Sequence, residues 1–207
     1  MKDKKLLSDI KEYLKCYENQ VLEDWYELIR HISVSETGEG IETCCDWIQK
    51  KMEEIGIQVT KYSVKPAPVL VGRFGNDPEK KTVLIYAHYD VKPAGERKLW
   101  HSDPFVPTVR DGKVYARGSA DNKSPLMAHL KALEYFIRRK MEVPVNVIFV
   151  FEGDEECGSR GLEEFLAEHR TELAADLVFF SDGPKDPSGL PIIALGAKGD
   201  LSVHITV

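Results

Sequence analysis

Long apolar runs are missing from this chain. None approaches the ~18 consecutive apolar residues of a membrane-spanning helix, so no membrane partner is expected. The N-terminal stretch MKDKKLLSDIKEYLK is charged and helical in pattern, without the apolar core of a secretory signal. Cysteine is scarce: Cys16, Cys44, Cys45 and Cys157 are the four in 207 residues, and none pairs as CxxC. That usage reads as reduced thiols in a cytoplasmic protein rather than a disulfide framework. A basic stripe is missing too. The net charge is −6, with acids and bases mixed along the chain, which argues against nucleic acid as a partner. There is no internal repeat and no low-complexity segment. What remains is an ordinary globular composition, 43% hydrophobic and 30% charged, long enough for one sizeable core.

The hydrophobic pattern alternates between two periods. Residues 3–31 carry apolar positions at helical spacing, with a break expected near Asn19. Residues 41–55 form a second amphipathic helix, and Gly56 is its stop. Strands are expected over 57–64 and 69–74, parted by Pro66 and Pro68, and a buried strand over 82–87. Residues 91–120 are aperiodic apart from a hairpin, 106–109 with 113–116, around Asp111-Gly112. A helix follows Asp121, with Ser124 as cap and Pro125 in its first turn. Buried strands at 145–151 and 177–180 flank a helix at 162–169, and further strand pattern covers 192–195 and 201–207. Apolar strands alternating with helices predict an α/β fold: three αβα layers around a mostly parallel mixed sheet.

Polar groups gather where these strands end. The strand at 82–87 runs into His88-Tyr89-Asp90; the one at 145–151 runs into Glu155-Glu156; the one at 177–180 runs into Asp182. Asp121 stands at a helix entrance. In α/β sheets, ligands bind at the carboxyl ends of strands, so these separated pieces should converge on one rim. Ordinary folding gives no reason to end each strand with an acid, and a dication offsets the repulsion of clustered carboxylates. Asp, Glu and His together suit zinc or a related transition metal.

On this reading His88 and Asp182 hold one ion and Glu156 part of another. Asp121 bridges the two, ~3.5–4 Å apart in two-metal sites. Asp90 lies too near His88 to be an equal ligand and orients the imidazole. Glu155, pointing away from Glu156 in extended chain, is the general base. Each residue has a plainer reading by itself: a core histidine for His88, a solvated acidic turn for Glu155 and Glu156. Asp182 would be a turn residue and Asp121 a helix N-terminal acid. It is their joint occurrence that favours the site. Cys157 is read as a small loop residue; His31, His101, His129 and His169 as surface or structural. Lys123 and Arg117 are read either as binders of a substrate carboxylate or as surface charges.

The motifs resemble those of the co-catalytic zinc peptidases and amidohydrolases: cytosolic nonspecific dipeptidase, carnosinase, aminoacylase and carboxypeptidase G. The resemblance is carried by His88-Tyr89-Asp90-Val91, Trp100 with Asp103-Pro104-Phe105, Asp111-Gly112, the run Arg117 to Lys123, the run Glu152 to Ser159, and Ser181-Asp182. It covers about residues 20–207. It implies His88, Asp121 and Asp182 on one zinc, Asp121 and Glu156 on the other, Glu155 as base and Asp90 behind the histidine. Manganese or cobalt would suit similar ligands. It also implies a cis peptide at Asp121–Asn122. The implied reaction is hydrolysis of a dipeptide's peptide bond by a metal-bridged water. The alternatives are removal of an N-acyl group from an amino acid, or an inactive metal-binding fragment.

Ala116 and Ser124 depart from the family's usual glycines. The family continues near Val207 into a lid and dimerisation domain, then returns to supply a last histidine ligand, which His204 replaces poorly. The chain is therefore expected to be the N-terminal portion, residues 1–207, of a catalytic domain whose full-length form is a homodimer.

Overall fold

The computed structural model describes residues 2–183, 188, 190, 192, 193 and 203. Three helices come from the amphipathic stretches: α1 (Lys2–Arg30), α2 (Ile41–Glu54) and α3 (Lys123–Arg138). The break expected at Asn19 does not occur. Asn19 is solvent-exposed, and an exposed Asn costs a helix at most about 0.7 kcal/mol, too little to end one whose apolar spacing continues on both sides. Ser124 does not cap α3 either. The helix starts a residue before it, with Asn122 at the cap position and no side-chain capping bond.

The remaining elements are β1 (Gln58–Tyr62), β2 (Val69–Phe74), β3 (Thr82–His88), β4 (Thr108–Arg110), β5 (Lys113–Tyr115), β6 (Asn146–Glu152), α4 (Leu162–Glu168) and β7 (Leu177–Phe180). Five strands form one sheet in the order β1-β2-β6-β3-β7, and β4 and β5 make the separate hairpin. The sheet is mixed. β1 and β2 run antiparallel to their neighbours, whereas β6, β3 and β7 are mutually parallel. The parallel half is the one that delivers the site.

Strand β6 is buried along its whole length, and its alternation builds the three layers. Val147, Phe149 and Phe151 face the core under α1, α2 and α3, with Leu28, Ile48, Met52 and Leu126. Ile148 and Val150 face the other side, where Phe165 of α4 and Leu173 cover them. The αβα expectation holds. β7 was expected to be buried, yet Leu177, Val178, Phe179 and Phe180 are 47% to 62% exposed. Among the described residues it pairs with β3 alone and is the outermost strand of the sheet. The strand expected over 192–195 and the alternating segment 201–207, with His204, lie largely outside the described residues; Ile192 and Ile193 carry no regular structure.

The excursion between β3 and α3 is held by its own turn and ring contacts. Trp100 donates its indole N–H to Ala94 O at 2.8 Å, and the Arg117 guanidinium lies over the Trp100 ring. Asp103 accepts the Phe105 N–H at 2.9 Å and pairs with Arg97. Gly118, at φ 77°, sits where a Cβ would come within 2.5 Å of Val91, so the chain can press the loop before Asp121 against the loop after β3.

Candidate metal centre

His88 is the last residue of β3, and in the parallel register it lies opposite Glu152 of β6. Its imidazole is fully buried, and each ring nitrogen faces a different set of oxygens. Nδ1 lies 3.1 Å from the carbonyl oxygen of Asp90 and 3.3 Å from its Oδ1. Nε2 points outward to Asp121 Oδ1 at 3.0 Å, Asp182 Oδ2 at 3.3 Å and Glu155 Oε2 at 3.8 Å. His88, Asp121 and Asp182 each offer a ligand atom, all within 4.8 Å of one another.

Local structure explains the convergence. Asp182 follows β7, whose parallel pairing with β3 brings its end beside His88. Asp121 closes the loop before α3, and its peptide bond to Asn122 is cis, as the resemblance implies. Asn122 is buried and donates through Nδ2 to Ser181 O at 3.2 Å, tying the entrance of α3 to the residue before Asp182. The turn after β6 is held from below. Asp90, itself buried, accepts the backbone N–H of Glu155 on Oδ1 at 3.1 Å and that of Glu156 on Oδ2 at 3.0 Å. Gly153 permits this descent, since a Cβ there would meet the Tyr89 ring at 2.5 Å.

Glu155 and Glu156 separate for a different reason from the one the sequence suggested. They lie in a 3₁₀ turn, Glu155–Cys157, not in extended chain. Successive side chains of such a turn project about 120° apart. Glu155 faces His88. Glu156 turns to Lys92, whose Nζ is 3.3 Å from Oε2 and also donates to the Glu156 carbonyl oxygen. Glu156 therefore does not join the His88, Asp121 and Asp182 group, while Glu155 stands at its margin.

The charges reinforce one another. Burial works against the imidazolium, but Asp90, then Glu155 and Asp121, outweigh it and raise His88 to about 9. Burial, with neighbouring Glu156, Asp182 and Asp90, raises the Glu155 carboxyl above its ordinary range despite His88. Asp90 moves the other way: burial opposes its charge, yet His88, Ser35 and the Glu156 N–H hold it below the usual carboxylate range. One imidazole facing three carboxylates through a single nitrogen is a donor set that fits a borderline dication better than a proton.

Two cations predicted as possible substrate binders are occupied elsewhere. Lys123 is fully buried and donates to Leu28 O at 3.1 Å and His31 O at 2.6 Å, closing the end of α1. Arg117 stacks on Trp100 and bonds Pro93 O at 3.2 Å. Lys92 and Asn122 were the residues that sequence reasoning passed over. Each acts across about sixty positions, on Glu156 and Ser181 respectively, and no spacing rule reaches that far.

The sequence model of peptidase family M20/M25/M40 matches residues 84–204, a stretch that includes every residue of this centre. The chain belongs to that family. It is 40% identical over 163 residues to the Cys-Gly metallodipeptidase dug1 of Schizosaccharomyces pombe, covering 76% of this chain and 34% of that protein. Among solved structures it resembles the M20 family metallo-carboxypeptidase Sso-CP2 of Sulfolobus solfataricus. That match has a TM-score of 0.78 at 36% identity, over 82% of this chain and 38% of the other. Human carnosine dipeptidase 1 superposes with a TM-score of 0.81 at 29% identity, over 86% and 41%. The chain thus spans about a third of the length of that fission-yeast dipeptidase. The αβα layering matches that of M20 family structures. No helix among the described residues is long and apolar enough to cross a membrane.

Proposed function

We propose that this chain carries most of the catalytic centre of a metal-dependent hydrolase that cleaves the peptide bond of dipeptides. The observation that carries the reading is His88 Nε2 within 3.3 Å of carboxylates from two distant segments, Asp121 and Asp182, with Glu155 beside them. Support for the substrate class comes from the dipeptidase named among its relatives.

His88, Asp121 and Asp182 would hold one cation; Asp121 and Glu156 would share a second. Zinc suits the donors, and manganese or cobalt would be accepted by the same set. A dication bound there supplies Lewis acidity and a lowered pKa for water. The protein's own contribution is placement and proton transfer. Asp90 fixes the imidazole through Nδ1 and, through the N–H groups it accepts, fixes the turn that carries the base. Glu155 Oε2 takes a proton from the water that attacks the scissile carbonyl and returns it to the departing amine nitrogen. Its raised pKa suits both halves of that transfer. The chain would be the N-terminal portion of the catalytic domain of a cytoplasmic enzyme that is a homodimer at full length; its four unpaired cysteines are in keeping with a reducing compartment.

The test is zinc titration with dipeptide hydrolysis. His88→Ala and Asp182→Asn should each abolish the tight zinc equivalent. Glu155→Gln should leave that equivalent intact and lower turnover on the scale of about 10²–10⁴-fold that a general base supplies. Zinc binding that ignores His88 would overturn the proposal.

A further inference from the structure

We infer that Glu152 is a positioning residue for Glu155: its buried carboxylate pins the far end of the turn that carries the base. The inference rests on the proposed reading of Glu155 as that base.

Strand β6 is apolar from Val147 to Phe151, then ends in an acid that no step of the proposed reaction uses. Glu152 is buried, lies opposite His88 in register, and shares a face of the sheet with Tyr86 of β3. One carboxylate oxygen, Oε1, accepts the Tyr86 hydroxyl at 2.6 Å and the Ser159 hydroxyl at 2.7 Å. The Glu152 carbonyl oxygen accepts the Tyr89 N–H at 2.8 Å, so the same residue also braces the segment between His88 and Asp90.

The turn is thereby fastened to the sheet at both ends. Asp90 takes the N–H groups of Glu155 and Glu156 at its entrance, and Glu152 takes the Ser159 hydroxyl at its exit. Ties within the turn close it on itself: Asp154 O accepts the N–H of Cys157 at 3.1 Å and of Ser159 at 2.8 Å, and Arg160 forks onto the Asp154 carboxylate. Ser159 lies at φ 50°, a left-handed conformation that a residue with a side chain seldom holds unaided. Its carbonyl oxygen then receives the Leu162 N–H as α4 begins.

Tyr86 extends the clamp toward the metal ligands. Burial and Glu152, with Glu155 adding to them, raise its phenol, which stays protonated and donates. Its ring packs on Phe180 with centroids 4.7 Å apart, two residues before Asp182. Glu152 thus lies between the turn of Glu155 and the strand that delivers Asp182. A general base works only within hydrogen-bond reach of its proton. A turn released from Glu152 would leave His88, Asp121 and Asp182 together and misplace the base alone.

Glu152→Leu keeps bulk and removes the acceptor; Glu152→Gln keeps an acceptor oxygen; Ser159→Ala cuts the same tie more mildly. Amide hydrogen exchange in the metal-free 207-residue chain is the first readout. Glu152→Leu should speed exchange at Glu155, Glu156 and Ser159 about tenfold or more, the size of losing a hydrogen bond to a charged group, with Phe149 and Leu130 unchanged. Ser159→Ala should speed the same amides, and decides the matter if Glu152→Leu does not fold. Turnover with zinc added is the second readout. In Glu152→Leu kcat should fall about 10–100-fold, on the scale of an ångström of misplacement, at unchanged KM and unchanged first zinc equivalent. Glu152→Gln should restore both readouts. Turn amides as slow as wild type in the cut variants, exchange raised equally throughout the sheet, or no recovery in Glu152→Gln overturns the inference and leaves the proposed function standing. Full turnover in Glu155→Gln, or none in wild type, overturns the proposed function instead, and exchange alone then decides whether Glu152 pins the turn.

Discussion

His88 is asked to hold a proton by the same oxygens that would hold a metal. In the metal-free protein its pKa of about 9 keeps it charged at neutral pH. Cation binding must then expel that proton, so apparent zinc affinity should weaken roughly tenfold for each pH unit below 9 while the carboxylates stay ionised. Calorimetry between pH 6 and 8, in buffers of different ionisation enthalpy, should find about one proton released per ion from this residue. A pH-independent affinity would contradict the geometry. The sign for stability without metal is opposite. The folded pKa lies above the ordinary 6.5, so the ion pairing is fully present below that value and is lost as pH rises through 9. Asp90 is the second residue to test. Asp90→Ala should weaken the first zinc site about 10–100-fold, the usual cost of losing a residue that orients a liganding histidine. That His88 and Asp182 would share one rim was legible in the sequence because each closes a strand, and the structure brings them together with Asp121. Their partners were not, since Lys92 meets Glu156 and Asn122 meets Ser181 only after the sheet has formed.

At the level of elements, two parities decide the outcome. β6 is apolar on both faces, which marked it as a central strand, and it lies between β2 and β3 with both faces covered. Phe149 is fully buried and packs on Phe151 with ring centroids 5.4 Å apart. Phe149→Ala should cost about 3–5 kcal/mol in urea unfolding, the range for a large ring removed from a close-packed core. Strand bounds 69–74 and 177–180 were readable to the residue, because prolines and polar groups bracket them. Helix starts were less so. Ser124 has the right chemistry for a cap, but α3 begins earlier, where Asn122 uses its amide to hold Ser181 and Lys123 reaches back to α1. Capping rules see only local partners; here the partners are distant.

On the scale of the whole sheet, the two outermost strands among the described residues differ. β1 is polar and mostly half-buried or exposed, as an edge strand should be. β7 carries four consecutive apolar residues in the open, continuous with the strand end that supplies Asp182. Sequence alone ranked it as buried, since four apolar residues in a row between turn signals read as a core strand. Such an edge pairs readily with another, so the 207-residue chain should self-associate with rising concentration in sedimentation velocity. Val178→Lys should suppress that association and leave the first zinc equivalent unchanged. Association insensitive to this substitution would place the contact elsewhere.

The seven residues of β3 have one more effect, on what the gene can tolerate. Ala87 and Tyr89 belong to the core beneath the three long helices, while His88 projects among the acids on the opposite side. Removing or adding a single codon inside this strand would exchange the two sides, driving a phenol ring into the rim and burying the imidazole in hydrocarbon. Indels there should be purged where the separate hairpin of β4 and β5 would tolerate them, and the strand's length is in effect part of the site's specification.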